Sequence, residues 1–282
     1  MCLLSMKEKV NVGTWNVRTM FEAIKTAQIA NGMRRYHIEV IGICECRWNG
    51  SGLSKMSTGE SIIYSDIVTQ TTTTSTLSFG VAIMISPRAS KGLFHAMGTN
   101  LLQDHDRKIQ LKRKEGHNHT MLRCAPTNNA EQEEKEEFYK QFQSTLDKTP
   151  VGDIKILMGD MNAKLRGAEN TGRELTMGRE ALGEVMNENG ELFAEFCAFN
   201  DLVIGGQAVC SSTRISTEPA TWISPDGHIK NQIDFISISR KRRWRRSLLN
   251  TRSRRGADVG SDHHPVQATY LPNQVKSLQG SW

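Results

Sequence analysis

The stretch Ser261-Asp262-His263-His264-Pro265 sets an acid beside two imidazoles just ahead of a strand-like run, VQATY. An imidazole changes charge near neutral pH, and with a carboxylate holding its second ring nitrogen it suits general acid–base work. Other strand-like runs carry oxygen- or amide-bearing residues at or near their ends. These are Asn16 after GTW, Glu45 after IGIC, Asp160 and Asn162 after ILMG, and Asp234 inside NQIDF. Each has an ordinary structural reading, for Asp160 can cap a turn, Asn16 can bond a backbone group and Glu45 can pair with Arg47. As a set, carboxylates and amides suit a hard cation such as Mg²⁺, which takes oxygen ligands and keeps several waters, rather than zinc. Cysteines 2, 44, 46, 124, 197 and 210 show neither CxxC pairs nor disulfide-scaffold density, so reduced thiols are expected. Cys44 and Cys46 end an apolar run, which argues against a soft-metal pair.

The elements that must position these residues alternate from end to end, with no Pro- or Gly-rich linker to divide them, so one domain is the simplest reading. VNVGTWNV opens as a strand. FEAIKTAQIANGMRRY follows as a helix, with Phe21, Ile24, Ala27, Ala30 and Met33 at a spacing of three. IEVIGICE and FGVAIMIS are apolar throughout, as strands buried on both faces are. Residues 87–119 read as loops and edge strands, with a strand around Ile109 to Leu111. TMLRCAPT reads as a strand stopped by Pro126. AEQEEKEEFYKQFQSTLDK is a helix that buries Phe138, Phe142 and Leu146. DIKILMGDMN is the clearest central strand; a loop over about 165–186 separates it from the helix ENGELFAEFCAFN. DLVIGG, ATWIS and NQIDFISIS are short strands, and the Thr run at 69–78 reads as a hairpin loop.

The 282 residues suffice for a sizeable core. No apolar run spans a membrane and the start is too short for a secretory signal, so a nuclear or cytoplasmic protein without a membrane partner is expected. Lys plus Arg total 36 against 30 Asp plus Glu, and the excess concentrates in RKRRWRRSLLNTRSRR, which includes Arg245 and Arg246 and no acid. Such a block fits a polyanion, nucleic acid before membrane; the plain alternative is a solvated loop or a nuclear-localisation-like run.

Taken in order, GTWNVRTM, IGICECRWNGSG, APTN, ILMGDMNAK, ENGELFAEFCAFNDLVIGG, TWISPDG, NQIDFISI and RRGADVGSDHH span about residues 10–270. Through them the chain resembles the endonuclease/exonuclease/phosphatase superfamily. Within it, the chain is most similar to the apurinic-like endonucleases of non-LTR retrotransposons and to craniofacial development protein 2-like proteins. The resemblance implies an α/β fold of four layers, two packed mixed β-sheets flanked by helices, over 10–270, with an extension at 1–9 and a tail at 271–282. It also implies Mg²⁺, with Mn²⁺ as a substitute, and DNA as partner.

By the same resemblance Glu45, Asn16 and Asp262 hold or neighbour the metal. Asp160 orients or deprotonates the attacking water, and Asn162 bonds a phosphate oxygen. His263 contacts the scissile phosphate, with Asp234 fixing its ring. Thr221 and Ser261 touch the phosphate or support the site, and Arg47, Arg245 and Arg246 contact substrate. His264 is expected to be structural or at the groove edge.

Several features depart from the family. A tyrosine usually precedes APTN, and here either Cys124 stands in its place or the tyrosine is deleted. The stretch from about Met97 to Arg123 matches poorly, and the basic block is longer than usual. Full-length retrotransposon relatives continue into a reverse transcriptase, which this chain does not include. Three readings stay open: an endonuclease that nicks one DNA strand, a non-catalytic relative that retains nucleic-acid binding, and a phosphatase of the same superfamily.

Overall fold

The computed structural model describes residues 9–65, 80–94, 109–112, 118–151, 153–167, 171–178, 185–205, 220–240 and 248–270. The order is β1 (Val10–Asn16), α1 (Ala23–Arg35), β2 (Val40–Cys44), β3 (Ser51–Lys55), β4 (Ser61–Ser65), β5 (Val81–Ile85), α2 (Pro87–Phe94), β6 (Ile109–Lys112), β7 (Asn118–Leu122), α3 (Gln132–Asp147), β8 (Ile154–Asp160), α4 (Glu188–Phe199), β9 (Leu202–Ile204), β10 (Trp222–Ile223), β11 (Lys230–Asn231), β12 (Asp234–Ser239), β13 (Leu248–Ser253) and β14 (Val266–Tyr270). A seven-stranded sheet runs β13-β14-β1-β2-β5-β4-β3, and a five-stranded sheet runs β6-β7-β8-β12-β9. Both are mixed, since β1 pairs β2 and β7 pairs β8 in parallel within otherwise antiparallel ladders.

Side-chain parity explains the layering. Successive residues of a strand point to opposite faces, so a strand with both faces covered can be apolar throughout. In β8, Ile154, Ile156 and Met158 meet Val10, Val12, Val40, Ile83 and Ile236 between the sheets. Leu157 points the other way, onto Phe138 and Phe142 of α3 and Phe193 of α4. The outer face of the larger sheet, with Trp15, Ile41, Ile43 and Met84, packs on Ile29, Ala30 and Met33 of α1. Helix, sheet, sheet, helix is the four-layered α/β sandwich expected. The sheets approach closely at Gly42, where a β-carbon would lie 2.6 Å from Leu122 Cδ1.

Parity also decides where polar groups converge. Asn16, Asp160 and Asp234 sit in register with the inward-facing residues of β1, β8 and β12, so the pattern that fills the core also turns them into the gap between the sheets. Asp160 and Asp234 are direct cross-strand partners.

Several expectations require correction. Residues 87–94 form α2, where loops or edge strands were expected. Pro87 is preorganised for a first helical turn, and Ser86 Oγ accepts the Ala89 N–H at 3.1 Å. β7 ends at Leu122, short of Pro126, although Arg123 and Ala125 still donate backbone hydrogen bonds to Met158 and Asp160. In α1 the buried residues are Thr26, Ile29, Ala30 and Met33, whereas Phe21 and Ile24 are exposed. A strict spacing of three drifts around a helix of 3.6 residues per turn, so its early members leave the core face.

The basic block is not only loop, because Leu248–Ser253 forms the edge strand β13 beside β14, where exposed arginines are tolerated. The Thr run and Arg245 and Arg246 lie outside the described residues. Reduced thiols are not what Cys44 and Cys124 present: the two are joined as a disulfide between the sheets. Their positions at inward-facing strand ends bring the sulfurs together, a pairing invisible in sequence spacing. No helix among the described residues is long and apolar enough to cross a membrane.

Candidate active site

β1, β2 and β8 end on one side of the sandwich, and β12 begins there. Asn16 stands between two acids: its Nδ2 donates to Glu45 Oε1 at 2.8 Å and to Asp160 Oδ2 at 2.9 Å. One amide thus keeps two carboxylates apart in a fixed arrangement. Asp160 Oδ1 accepts the Asn162 N–H at 3.0 Å, and Asn162 Nδ2 donates to the Ala125 carbonyl at 3.1 Å. Gly159, at φ +150°, passes so near the Arg123 carbonyl that any β-carbon would overlap it. This close crossing aims Asp160 into the site.

The pair of aspartates on β8 and β12 is unfavourable alone, since like charges directly opposite destabilise a sheet. His263 resolves it. Its Nδ1 lies 2.9 Å from Asp234 Oδ2, and its Nε2 is 3.9 Å from Asp160 Oδ2 and 4.0 Å from Asp262 Oδ1. With a carboxylate facing Nδ1, that nitrogen carries a hydrogen and donates it. Burial works against the charged ring, but the charge and hydrogen bond of Asp234, helped by Asp160 and Asp262, outweigh it and push His263 up to about 9. Burial and then the neighbouring Asp234 push Asp160 up to about 7, against the pull of His263 and Asn16. A charged imidazole and a carboxyl that titrates near neutrality therefore face each other in one buried cluster.

The surrounding chain holds this cluster through the backbone. Ser261 Oγ donates to the Asn16 carbonyl at 2.7 Å and accepts the His263 N–H at 3.1 Å. Thr221 Oγ1 accepts the N–H groups of Ile233 and Asp234 at 3.0 and 3.1 Å. Both hydroxyls serve the framework. His264 is half-buried and donates its backbone N–H to the Thr221 carbonyl; burial and Arg255 hold its ring below the usual imidazole range.

Among the described residues six non-glycine positions have positive φ, and four of them, Arg18, Glu45, Arg47 and Asn162, belong to this site. Such conformations cost energy and persist where their surroundings dictate them, often at functional sites.

Sequence reasoning missed several participants. Trp222 Nε1 donates to Asp262 Oδ2 at 3.0 Å, and Arg18 Nη1 lies 3.5 Å from the same oxygen. Trp15 Nε1 donates to the His263 carbonyl at 2.9 Å. All three sit inside the quoted motifs GTWNVRTM and TWISPDG, beside residues that were singled out. Beneath the site, Asp160 N–H points at Cys44 Sγ at 3.5 Å, so the disulfide lies directly under the acids. Arg47 Nη2 reaches Glu45 Oε2 at 3.2 Å.

Asp160, Asp234 and His263 each offer a ligand atom, all within 4.8 Å of one another. A cation among these three competes with the Asp234–His263 hydrogen bond where it takes Asp234 Oδ2 or His263 Nδ1. Glu45 and Asp262 also carry oxygens of the kind Mg²⁺ takes, but they do not draw together as closely as Asp160, Asp234 and His263. Asp262 Oδ1 and Asp234 Oδ1 are buried without a hydrogen-bond partner. Buried carboxylate oxygens without donors are costly, which fits a site that receives positive charge from outside.

No protein-family model matches the chain. Over 98% of its length it is 35% identical to craniofacial development protein 2 of Tragulus javanicus, and over 94% it is 34% identical to the protein of that name from Bos taurus. The chain spans 46% and 41% of those proteins, less than half of either. Among solved structures it resembles an endonuclease/exonuclease/phosphatase family protein from Leptotrichia buccalis, with a TM-score of 0.56, 14% identity, and coverage of 92% of this chain and 98% of that one. It also resembles the endonuclease domain of TRAS1, a telomere-specific non-LTR retrotransposon, with TM-score 0.56, 12% identity, and 94% and 100% coverage. A third is the AP endonuclease LMAP from Leishmania major, with TM-score 0.63, 13% identity, and 93% and 88% coverage. At such identities the likeness is one of fold.

Proposed function

We propose that this chain, a homologue of craniofacial development protein 2 with the endonuclease/exonuclease/phosphatase fold, is a Mg²⁺-dependent phosphodiesterase that nicks one strand of DNA. The observation that carries it is the linked array in which Asn16 joins Glu45 to Asp160 while His263, held by Asp234, faces Asp160 and Asp262. Hydrolysing a phosphodiester needs an aligned water, neutralised phosphate oxygens and a stabilised leaving oxygen.

Asp160, titrating near neutrality, accepts the proton of the attacking water. His263 Nε2 donates toward a phosphate oxygen, and Asp234 keeps the ring oriented and charged as negative charge builds up. The Asn162 side chain holds a further phosphate oxygen. Glu45 and Asp262, with Asn16 beside them, would hold the cation, and Mg²⁺ or Mn²⁺ there would supply charge neutralisation for the phosphate and the leaving oxygen. Thr221 and Ser261 act by fixing Asp234, His263 and Asn16 in place. Arg47 contacts the phosphate backbone; Arg245 and Arg246, outside the described residues, are given a substrate-binding role by the resemblance alone. The working unit is residues 10–270. The substrate is DNA in a nuclear or cytoplasmic setting, and a reverse transcriptase domain is expected in full-length retrotransposon relatives.

One observation favours a second reading. Cys124, where relatives carry a tyrosine, is tied to Cys44 and brings no phenol to the phosphate region. A non-catalytic module that still binds nucleic acid is consistent with that.

Purified protein incubated with supercoiled plasmid and Mg²⁺ separates these readings. Nicked circles that vanish with chelator and in Glu45→Ala and His263→Ala support the nuclease. Salt-sensitive binding without nicking overturns it in favour of the binding module. Phosphate released from a soluble inositol phosphate overturns it in favour of a phosphatase.

A further inference from the structure

Two arginines at the mouth of the site each lie on an acid that the proposed function assigns to the cation. Arg47 Nη2 is 3.2 Å from Glu45 Oε2, and Arg18 Nη1 is 3.5 Å from Asp262 Oδ2. Neither side chain is enclosed, with 31% of Arg47 and 56% of Arg18 exposed. Both residues hold left-handed backbone, at φ +55° and +59°, and Arg18 donates its N–H to Asn16 Oδ1 at 3.0 Å. The backbone thus aims both guanidiniums at the reaction centre at a conformational cost that ordinary surface arginines do not bear.

These contacts are built to be given up. A partly exposed ion pair contributes little, because solvent screens it and both side chains lose freedom. Arg47 Nε is buried with no acceptor, leaving that guanidinium with a donor unused. A divalent cation on Glu45 and Asp262 competes for the very oxygens the arginines hold and repels both guanidiniums. Once displaced, a planar fork of donors matches the oxygens of a phosphate.

We infer that Arg18 and Arg47 are exchangeable counter-ions. Without a cation they neutralise Asp262 and Glu45; when a divalent cation takes those oxygens, both turn to backbone phosphates flanking the scissile bond. Arg18 thereby joins the substrate-contacting residues. This inference rests on the proposed function and adds a mode of substrate capture to it: metal binding frees the groups that grip DNA.

The mechanism demands effects of opposite sign from one substitution. Arg18→Gln, Arg47→Gln and the double variant are titrated with Mn²⁺ in the absence of DNA. The same proteins are then titrated with a short DNA duplex in Mg²⁺ across a salt series, and thermal melts check that each variant folds. Each single variant is expected to bind Mn²⁺ roughly two- to fivefold tighter, as loss of one weak competing ion pair implies. The slope of log affinity against log salt for DNA is expected to fall by about 0.9 per arginine removed. Arg18→Lys and Arg47→Lys, which keep the charge, are expected to retain the wild-type slope. Folded variants that bind Mn²⁺ no tighter than wild type, or keep the full salt slope, overturn the exchange while leaving the proposed function standing. A wild-type protein that binds neither Mn²⁺ nor DNA overturns the proposed function, and the exchange falls with it.

Discussion

The two ends of the sandwich treat buried acids in opposite ways. At one end, Glu39 ahead of β2 and Glu60 ahead of β4 each have their own guanidinium. Arg88 lies 2.5 Å from Glu39 Oε1 and Arg34 lies 2.5 Å from Glu60 Oε1, with the Thr58 hydroxyl donating to the second oxygen of Glu60. At the other end Asp160 and Asp234 share the single imidazole of His263, and the guanidiniums that meet Glu45 and Asp262 are those of the partly exposed Arg47 and Arg18. The first end is neutralised acid by acid. The second holds more carboxylate than its fixed cations balance. Local pairing makes a structure; a shared shortage makes a receptor for positive charge.

The comparison can be tested most severely through chemistry. Glu45→Ala or His263→Ala is expected to reduce plasmid nicking by about 10²–10³-fold, the size of effect seen when one group that stabilises a transition state is removed. Glu39→Gln at the far end is expected to leave the nicking rate unchanged. Equal losses at both ends would erase the distinction.

The disulfide belongs to the reactive end, and it closes a sequence separation of 80 residues. Reducing it, or replacing both Cys44 and Cys124 by serine, is expected to lower stability by roughly 2–4 kcal/mol, read as a shift of the denaturant midpoint. Unchanged stability under reductant would show that the cross-link does not carry the fold there.

Metal provides a finer test. Mg²⁺ at ten times its dissociation constant is expected to stabilise the wild type by about 1.4 kcal/mol through mass action. Glu45→Gln is expected to lose that gain in a thermal melt, and Glu60→Gln to keep it.

The smallest effect concerns the far end. Burial raises the Glu60 carboxyl, but the Thr58 hydroxyl, its own backbone and Arg34 more than offset this and hold it below the usual range. A carboxyl lowered on folding stabilises the fold above its unfolded value, near pH 4, and loses that contribution as pH falls further. Arg34→Ala is therefore expected to cost about 1 kcal/mol at neutral pH, since the arginine is half exposed, and less as pH drops below about 4. A cost that grows on acidification would contradict the pairing.

The legibility of these regions in the sequence follows the same division. Asp160, Asp234, Asn16, Glu45, His263 and Asp262 could be singled out because each is polar at or beside the end of an apolar run, and that contrast survives in one dimension. The helix at Pro87–Phe94 is missed within 87–119, which reads as loops and edge strands by periodicity, although a capping hydroxyl at Ser86 and a proline at the first helical position mark its start. The Trp222 and Arg18 contacts to Asp262 were not readable, because an indole or guanidinium in a motif looks the same whether it packs, pairs or faces water. β13, with Arg252, reads as loop because an edge strand, with one side open, tolerates charges that a central strand would not.

What the sequence by itself determined is the apolar central strands, β1, β2, β5, β8 and β12 among them, and the chemical types at their ends, since apolar runs are local properties; β3, β4 and β13 carry no such run and go unread. Tertiary structure alone decided which ends meet: that Asp160 lies opposite Asp234, that one amide serves Glu45 and Asp160, and that Cys44 finds Cys124 across the gap. Those pairings depend on register between segments up to about 250 residues apart, and register is set by the packing of both sheets at once.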